Sequence, residues 1–292
     1  MLLTVSHTTR YVFEDPVSHG LQRLRLKPKS THGQDVLDWK MELTGAKVEA
    51  EYDDQHNNHT ALVSLEAGAQ EVIVTCKGSV QTSISDGVTG MHSGHMPLWC
   101  FLRPTGLTRA GNKVRQLVAS VEADREDTLG FLHALSYAVG EAVEYLPGET
   151  DTSTTAEQVL TAGKGVCQDH AHVFISAGRL LDIPMRYVGG YLKMDDRDEQ
   201  EAGHGWAEAY VQGLGWVGFD ISNKVCPDER YIRVATGCDY GEAAPVTGIS
   251  HGGGATSLDV HLSVAEKLLG GQQQQQSGDG SQQQQQTGSG SA

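Results

Sequence analysis

The sequence predicts an α+β protein, on three observations. Residues 1 to about 85 are patterned as strands, residues 114 to 181 carry helical periodicity, and residues 204 to 220 read as a hairpin. In the first part, residues 4–13 are rich in β-branched and aromatic side chains, and residues 21–26 partly alternate apolar and basic ones. Residues 36–43, 61–65 and 71–76 continue the strand pattern, and Asp53, Asp54, Asn57 and Asn58 suit a turn between strands. An antiparallel, sandwich-like β domain over residues 1–100 is expected.

Residues 87–104 differ in composition, and His92, Ser93, Gly94 and His95 read as an exposed linker. Helical faces follow. Val114, Leu117, Val118 and Val121 share one, and Leu132, Leu135 and Val139 another. Thr154 and Glu157 have capping-box spacing ahead of Val159 and Leu160. A second domain is expected over residues 105–265. From Gly271 two runs of five glutamines lie among Gly and Ser, so residues 271–292 are expected to be disordered.

The 292-residue chain has a net charge of −15 and no basic run, which argues against nucleic-acid binding. Nothing approaches 18 consecutive apolar residues, so no membrane span is expected. The opening residues lack a basic flank, so a signal peptide is not expected and a cytoplasmic location is. The five cysteines (Cys76, Cys100, Cys167, Cys226 and Cys238) are odd in number, widely spaced and without Cys-x-x-Cys. Neither a disulfide framework nor a structural zinc site is expected, nor any cofactor.

Chemistry concentrates at Gly163-Lys164-Gly165-Val166-Cys167-Gln168-Asp169-His170. Glycines give way there to a helical pattern through Val173, Ala177 and Leu180, ended near Pro184. Cys167 falls in the first turn, where unpaired N–H groups and the helix dipole favour a thiolate and can steady an oxyanion. Residues 204–211 and 216–220 read as paired strands, which deliver His204 and Asp220 to one sheet edge. They share a face only in one parity of register, and a loop centred on Gln212 would set them directly opposite. The expected triad is Cys167 as nucleophile, His204 as base and Asp220 as its orienter.

Bland readings compete with these. Buried cysteines are usually filler, and Cys76, Cys100, Cys226 and Cys238 are read so. Asp169 complements the helix dipole, and Glu208 is a weaker alternative orienter. Trp206 and Trp216 either shield the His–Asp pair or simply pack. His170 and His172, at i and i+2 on a helix, point apart and do not easily share a metal ion; a site that adds His92, His95 and Asp169 is the minor alternative.

Four motifs in order carry a family resemblance: residues 165–171 around Cys167, 183–191, 204–208, and 213–220 ending in Asp220. They resemble bacterial transglutaminase-like cysteine proteins, and the match continues through residues 232–240 and Pro245-Val246. Leu24-Arg25-Leu26-Lys27-Pro28 is similar to part of that family's β-rich amino-terminal domain. The chain departs at His170, where an aromatic is common, and at Ile221-Ser222-Asn223, in place of a proline-containing turn. The resemblance implies a papain-like core, with a Cys-bearing helix packed on an antiparallel sheet. It also implies thiol chemistry on amides of a protein or peptide substrate. Hydrolysis by a peptidase or amidase is the leading expectation. Acyl transfer by a transglutaminase and a non-catalytic binding module are the alternatives.

Overall fold

The computed structural model describes residues 1–267, so the glutamine-rich segment expected to be disordered lies outside the described residues. The first strands are β1 (Leu2–Phe13), β2 (Val17–Leu24), β3 (Gln34–Thr44), β4 (Ala46–Asp53), β5 (His59–Leu65), β6 (Glu71–Thr82) and β7 (Val88–Gly90). A 3-10 turn at Leu98–Leu102 leads into α1 (Asn112–Ser120), α2 (Thr128–Ala142), β8 (Glu144–Tyr145), α3 (Ala156–Ala162) and β9 (Lys164–Gly165). Then follow α4 (Cys167–Leu180), β10 (Met185–Leu192), β11 (Glu199–Gln200), β12 (His204–Val211), β13 (Gly215–Phe219) and β14 (Tyr231–Gly237). The last elements are α5 (Tyr240–Ala243), β15 (Val246–Gly252) and β16 (Thr256–Glu266).

Two sheets make the sandwich. One has the order β11-β16-β1-β6-β3, the other β15-β2-β5-β4. Along β6 alternate residues Val72, Val74, Cys76 and Val80 are buried, as a strand with one covered face requires. Leu24, Ala61 and Val63 of one sheet pack with Val74 and Cys76 of the other. At its other end the same face, through Leu3, Val5 and Val80, meets Tyr191, Ile232 and Val234 of the remaining sheet.

The expected domain boundary at 265 is corrected here. Residues 246–266 are not part of the helix-bearing unit: β15 pairs with β2 and β16 with β1, so the chain returns to the sandwich. Conversely β7, inside the stretch read as amino-terminal domain, pairs with β13 of the helix-bearing unit. The segment expected to be an exposed linker is partly built in as well. His92 accepts a hydrogen bond from Trp216 Nε1 at 3.2 Å, and Phe101 is buried against the same tryptophan.

The second unit is the sheet β14-β10-β12-β13-β7, with α4 packed across β12. Ala171, Val173, Phe174 and Ala177 of α4 share a core with Ala207, Ala209 and Phe219, together with Phe131, Leu132 and Leu135 of α2. Small residues on β12 let the helix approach closely. The capping box sits one residue later than the spacing suggested, with Thr155 and Gln158 as its partners. Glu157 instead reaches across to α1, accepting from the backbone N–H groups of Gly111, Lys113 and Val114. It supplies α1 with the acceptor and the negative charge that helix starts favour.

The two units are joined by buried polar contacts. Asn58 donates from Nδ2 to the Thr236 carbonyl at 2.8 Å and accepts from Thr236 N–H at 2.9 Å. His56 Nε2 lies 2.8 Å from Glu242 Oε2. Asn58→Ala strands both backbone groups of Thr236. It is expected to cost about 2–4 kcal/mol, read as a lower urea midpoint.

Candidate active site

Cys167 opens α4 after Val166, whose extended backbone ends the approach from β9. Asp169 accepts from Val166 N–H at 2.8 Å and from Thr150 Oγ1 at 2.6 Å, both through Oδ2. Its role is therefore to fix the turn that presents Cys167. Burial pushes its carboxyl above the usual range, against those two hydrogen bonds.

The hairpin delivers the other two residues. Val211 pairs with Gly215, so the loop is centred on Gly213 rather than Gln212. Gly213 and Gly215 both have positive φ, at 89° and 86°, which glycine adopts at little cost. The register keeps His204 and Asp220 on one face but offsets them by two residues, so they meet diagonally instead of directly opposite. His204 Nε2 lies 2.6 Å from Asp220 Oδ2. His204 and Asp220 are thus hydrogen-bonded, and Cys167 and His204 line one cavity.

Electrostatics follow from this packing. Burial pulls His204 toward the neutral form, yet the hydrogen bonds to Asp220 and Cys167 and the charges of both prevail, raising its pKa to about 10. Burial likewise works to raise Asp220, but His204, Asn223 and Tyr231 hold its carboxyl below the usual range. Asp220 occupies Nε2 of the imidazole, which leaves Nδ1 as the ring nitrogen for the thiol.

Two supporting residues escaped the sequence reading. Asn223 donates from Nδ2 to Asp220 Oδ2 at 2.7 Å and from its N–H to Oδ1 at 3.2 Å. Tyr231 donates its hydroxyl to Asp220 Oδ2 at 2.7 Å. Asn223, three residues after Asp220 in a turn, carried a local signal; Tyr231 comes from another strand and carried none. Trp206 lies over His204 with ring centroids 6.2 Å apart and packs against Tyr231, so it covers the pair. Trp216 lies elsewhere, against Phe101 and under Arg186.

Glu208, the alternative orienter, is committed to cations. Arg186 Nε donates to it at 2.6 Å and Arg233 lies within 2.9 Å. His170 contacts Ser222 Oγ and the Val143 carbonyl, while His172 Nε2 accepts from Tyr240 N–H. These two histidines have different partners, and His92 is held by Met96 and Trp216. All five cysteines are free; Cys76 and Cys238 are buried, and burial raises both thiols to about 12.

The cavity encloses about 350 Å³ and lies between the two units. Its walls include His7, Thr9 and Tyr11 of β1, Arg25, and Leu258 and Val260 of β16, opposite Cys167 and His204. The sandwich therefore forms part of the site, which the sequence reading did not anticipate. On the other side, Gly190 is paired with His204 across β10 and β12. A Cβ at Gly190 would collide with the Ile232 carbonyl oxygen and with Trp206. Gly190→Ala is expected to destabilise the fold by about 1–3 kcal/mol, measured by chemical denaturation.

Residues 115–221, which contain Cys167, His204 and Asp220, match the transglutaminase-like superfamily, and residues 3–81 match the bacterial transglutaminase-like N-terminal region. The chain belongs to the transglutaminase-like superfamily. An uncharacterized protein of Mycobacterium leprae is 30% identical over 90% of this chain and 98% of that protein. An uncharacterized protein of Mycobacterium tuberculosis H37Rv is 26% identical over 89% of this chain and 91% of its own. Among solved structures, the "Putative Cysteine Protease from Cytophaga hutchinsonii" superposes with a TM-score of 0.72. It is 22% identical and covers 91% of this chain and 90% of its own, a likeness of fold. The chain therefore has the α+β fold of the superfamily with a β-rich amino-terminal part. Among the described residues, no helix is long and apolar enough to cross a membrane.

Proposed function

We propose that this superfamily member is a cysteine-dependent peptidase or amidase that acts on peptide or glutamine-type amides through an acyl-enzyme at Cys167. The observation that supports it most is the His204–Asp220 hydrogen bond of 2.6 Å beside a cysteine at a helix start, in a shared cavity. The hydrogen bonds and charges around His204 favour its protonated form, the form that receives the Cys167 proton and later gives it to the leaving amine.

In this reading the Cys167 thiolate adds to the amide carbon. The first unpaired N–H groups of α4 face the oxygen as it gains charge. His204 gives its proton to the amide nitrogen, the C–N bond breaks, and the amine leaves. The now neutral imidazole takes a proton from water, and the resulting hydroxide adds to the thioester. The C–S bond then breaks, releasing a carboxylic acid and restoring the thiolate–imidazolium pair. Asp220 keeps the imidazole oriented throughout, and Tyr231 and Asn223 keep Asp220 oriented. Cys167 and His204 are both partly exposed, which gives water access for the second half-reaction.

Tyr231→Phe removes one of the hydrogen bonds that fix Asp220. It is expected to lower kcat/KM about 5- to 20-fold with the fold intact, checked by steady-state kinetics beside circular dichroism. The reaction type is tested by incubating the protein with a glutamine peptide and a labelled amine. Ammonia release or peptide cleavage without amine incorporation is the expected result. Incorporation of the amine as the main product would make the protein a transglutaminase with the same residues. No turnover of any amide, with Cys167→Ala leaving cellular function intact, would leave a binding module.

A further inference from the structure

Among the described residues, the cavity that holds Cys167 and His204 has one permanently charged residue in its lining, and that residue is not part of the proposed triad. It is Arg25, at the end of β2. Arg25 is 3% exposed. Its Nε donates to Asp54 Oδ2 at 2.9 Å, and its Nη1 has no hydrogen-bond partner among the described residues. A guanidinium has five donors, so a buried one with this single hydrogen bond is under-satisfied.

Asp54 does not supply what is missing. Its two oxygens already accept from His56 N–H, Asn58 N–H, Asn58 Nδ2 and Arg25, which fills a carboxylate's capacity. Among the described residues, the rest of the lining contains no Asp or Glu. His7, the other polar ring on that wall, spends Nδ1 on Tyr191 and Nε2 on Thr9. Burial lowers its pKa to about 4, so it offers no competing positive charge at neutral pH.

We infer that Arg25 binds a carboxylate of the substrate, so that the preferred amides carry a free carboxylate near the bond attacked by Cys167. A carboxylate matches the guanidinium fork with two parallel hydrogen bonds, raising the satisfied donors from one to three of the five. The carboxylate comes either from the chain end of a short peptide or from an acidic side chain; the chemistry at Arg25 is the same. This inference rests on reading the cavity as the substrate site, and it assigns the sandwich a part in choosing substrate.

The test measures binding in a protein that cannot turn substrate over. Four N-acetyl-alanyl peptides, ending in glutamate or glutamine with the terminus free or amidated, are titrated by calorimetry into the full chain carrying Cys167→Ala. At least one carboxylate-bearing peptide is expected to bind about tenfold or more tightly than the doubly neutral one. The glutamate amide against the free-ended glutamine peptide distinguishes the two sources. Adding Arg25→Gln is expected to erase the preference. Arg25→Lys, which keeps the charge against Asp54, is expected to reduce it at least about threefold even if Arg25→Gln fails to fold. Equal affinities for all four, including no measurable binding of any, would overturn the inference. So would a preference unchanged in a folded Arg25 variant, leaving Arg25 only a clasp for Asp54. The two readings fail separately. Carboxylate binding without turnover in the unsubstituted protein would sink the catalytic proposal alone, whereas turnover of neutral and anionic peptides alike would sink this one alone.

Discussion

Cys167→Ala is expected to abolish amide turnover, with a loss of about 10⁴-fold or more in kcat. The substitution removes the nucleophile of the proposed mechanism, and among the described residues no other cysteine lines the cavity. Cys76 and Cys238 are buried in cores with raised thiols, so neither can substitute. Stability should change little, because Cys167 is half-buried at a helix start and Asp169 holds the turn without it. A variant that folds, binds peptide and does not react is the expected combination. Turnover near the original rate would place the chemistry elsewhere.

Asp220→Asn should be the next most damaging change, lowering kcat/KM by about 10²–10⁴-fold. The carboxylate is almost fully buried and accepts from His204, Asn223 and Tyr231, so an amide in its place keeps the shape and loses the charge. The imidazolium then loses its main stabilising partner, and the pKa of His204 falls from about 10. Stability shows the same change. His204 is raised from 6.5 to about 10, so its contribution is fully present below about 6.5 and is lost as pH rises through about 10. The urea midpoint of the unsubstituted protein is expected to fall on the alkaline side, between about pH 7 and 10. In Asp220→Asn that fall is expected to be smaller and to begin at lower pH.

Much of this arrangement was legible in the sequence because its signals are local. Strand β1 announces itself by its β-branched and aromatic residues, β2 by partial apolar alternation, and the Cys-bearing helix by the glycines ahead of it and the apolar spacing after it. The hairpin was visible from its turn, although its register differed from the simplest one by an offset of two residues. What escaped notice depends on distant pairings. Strand β4 alternates Ala46, Val48, Ala50 and Tyr52 with charged residues and was missed all the same; at a sheet edge only its Ala46 is buried. Strand β15 is largely exposed and finds β2 across more than two hundred residues. Nothing near residue 250 signals that return, and the domain boundary was misplaced for that reason. Tyr231 and Arg25 belong to the same class: each meets the site by tertiary packing alone.

The most direct test of the central claim is the rate of Cys167 alkylation by iodoacetamide against pH, in the unsubstituted protein and in His204→Ala. A rate already high at neutral pH and nearly flat up to about pH 9, replaced in His204→Ala by one that rises only near the free-thiol range of ~8.5, is the expected result. Identical profiles in the two proteins, both rising only in that range, would contradict an activated Cys167–His204 pair.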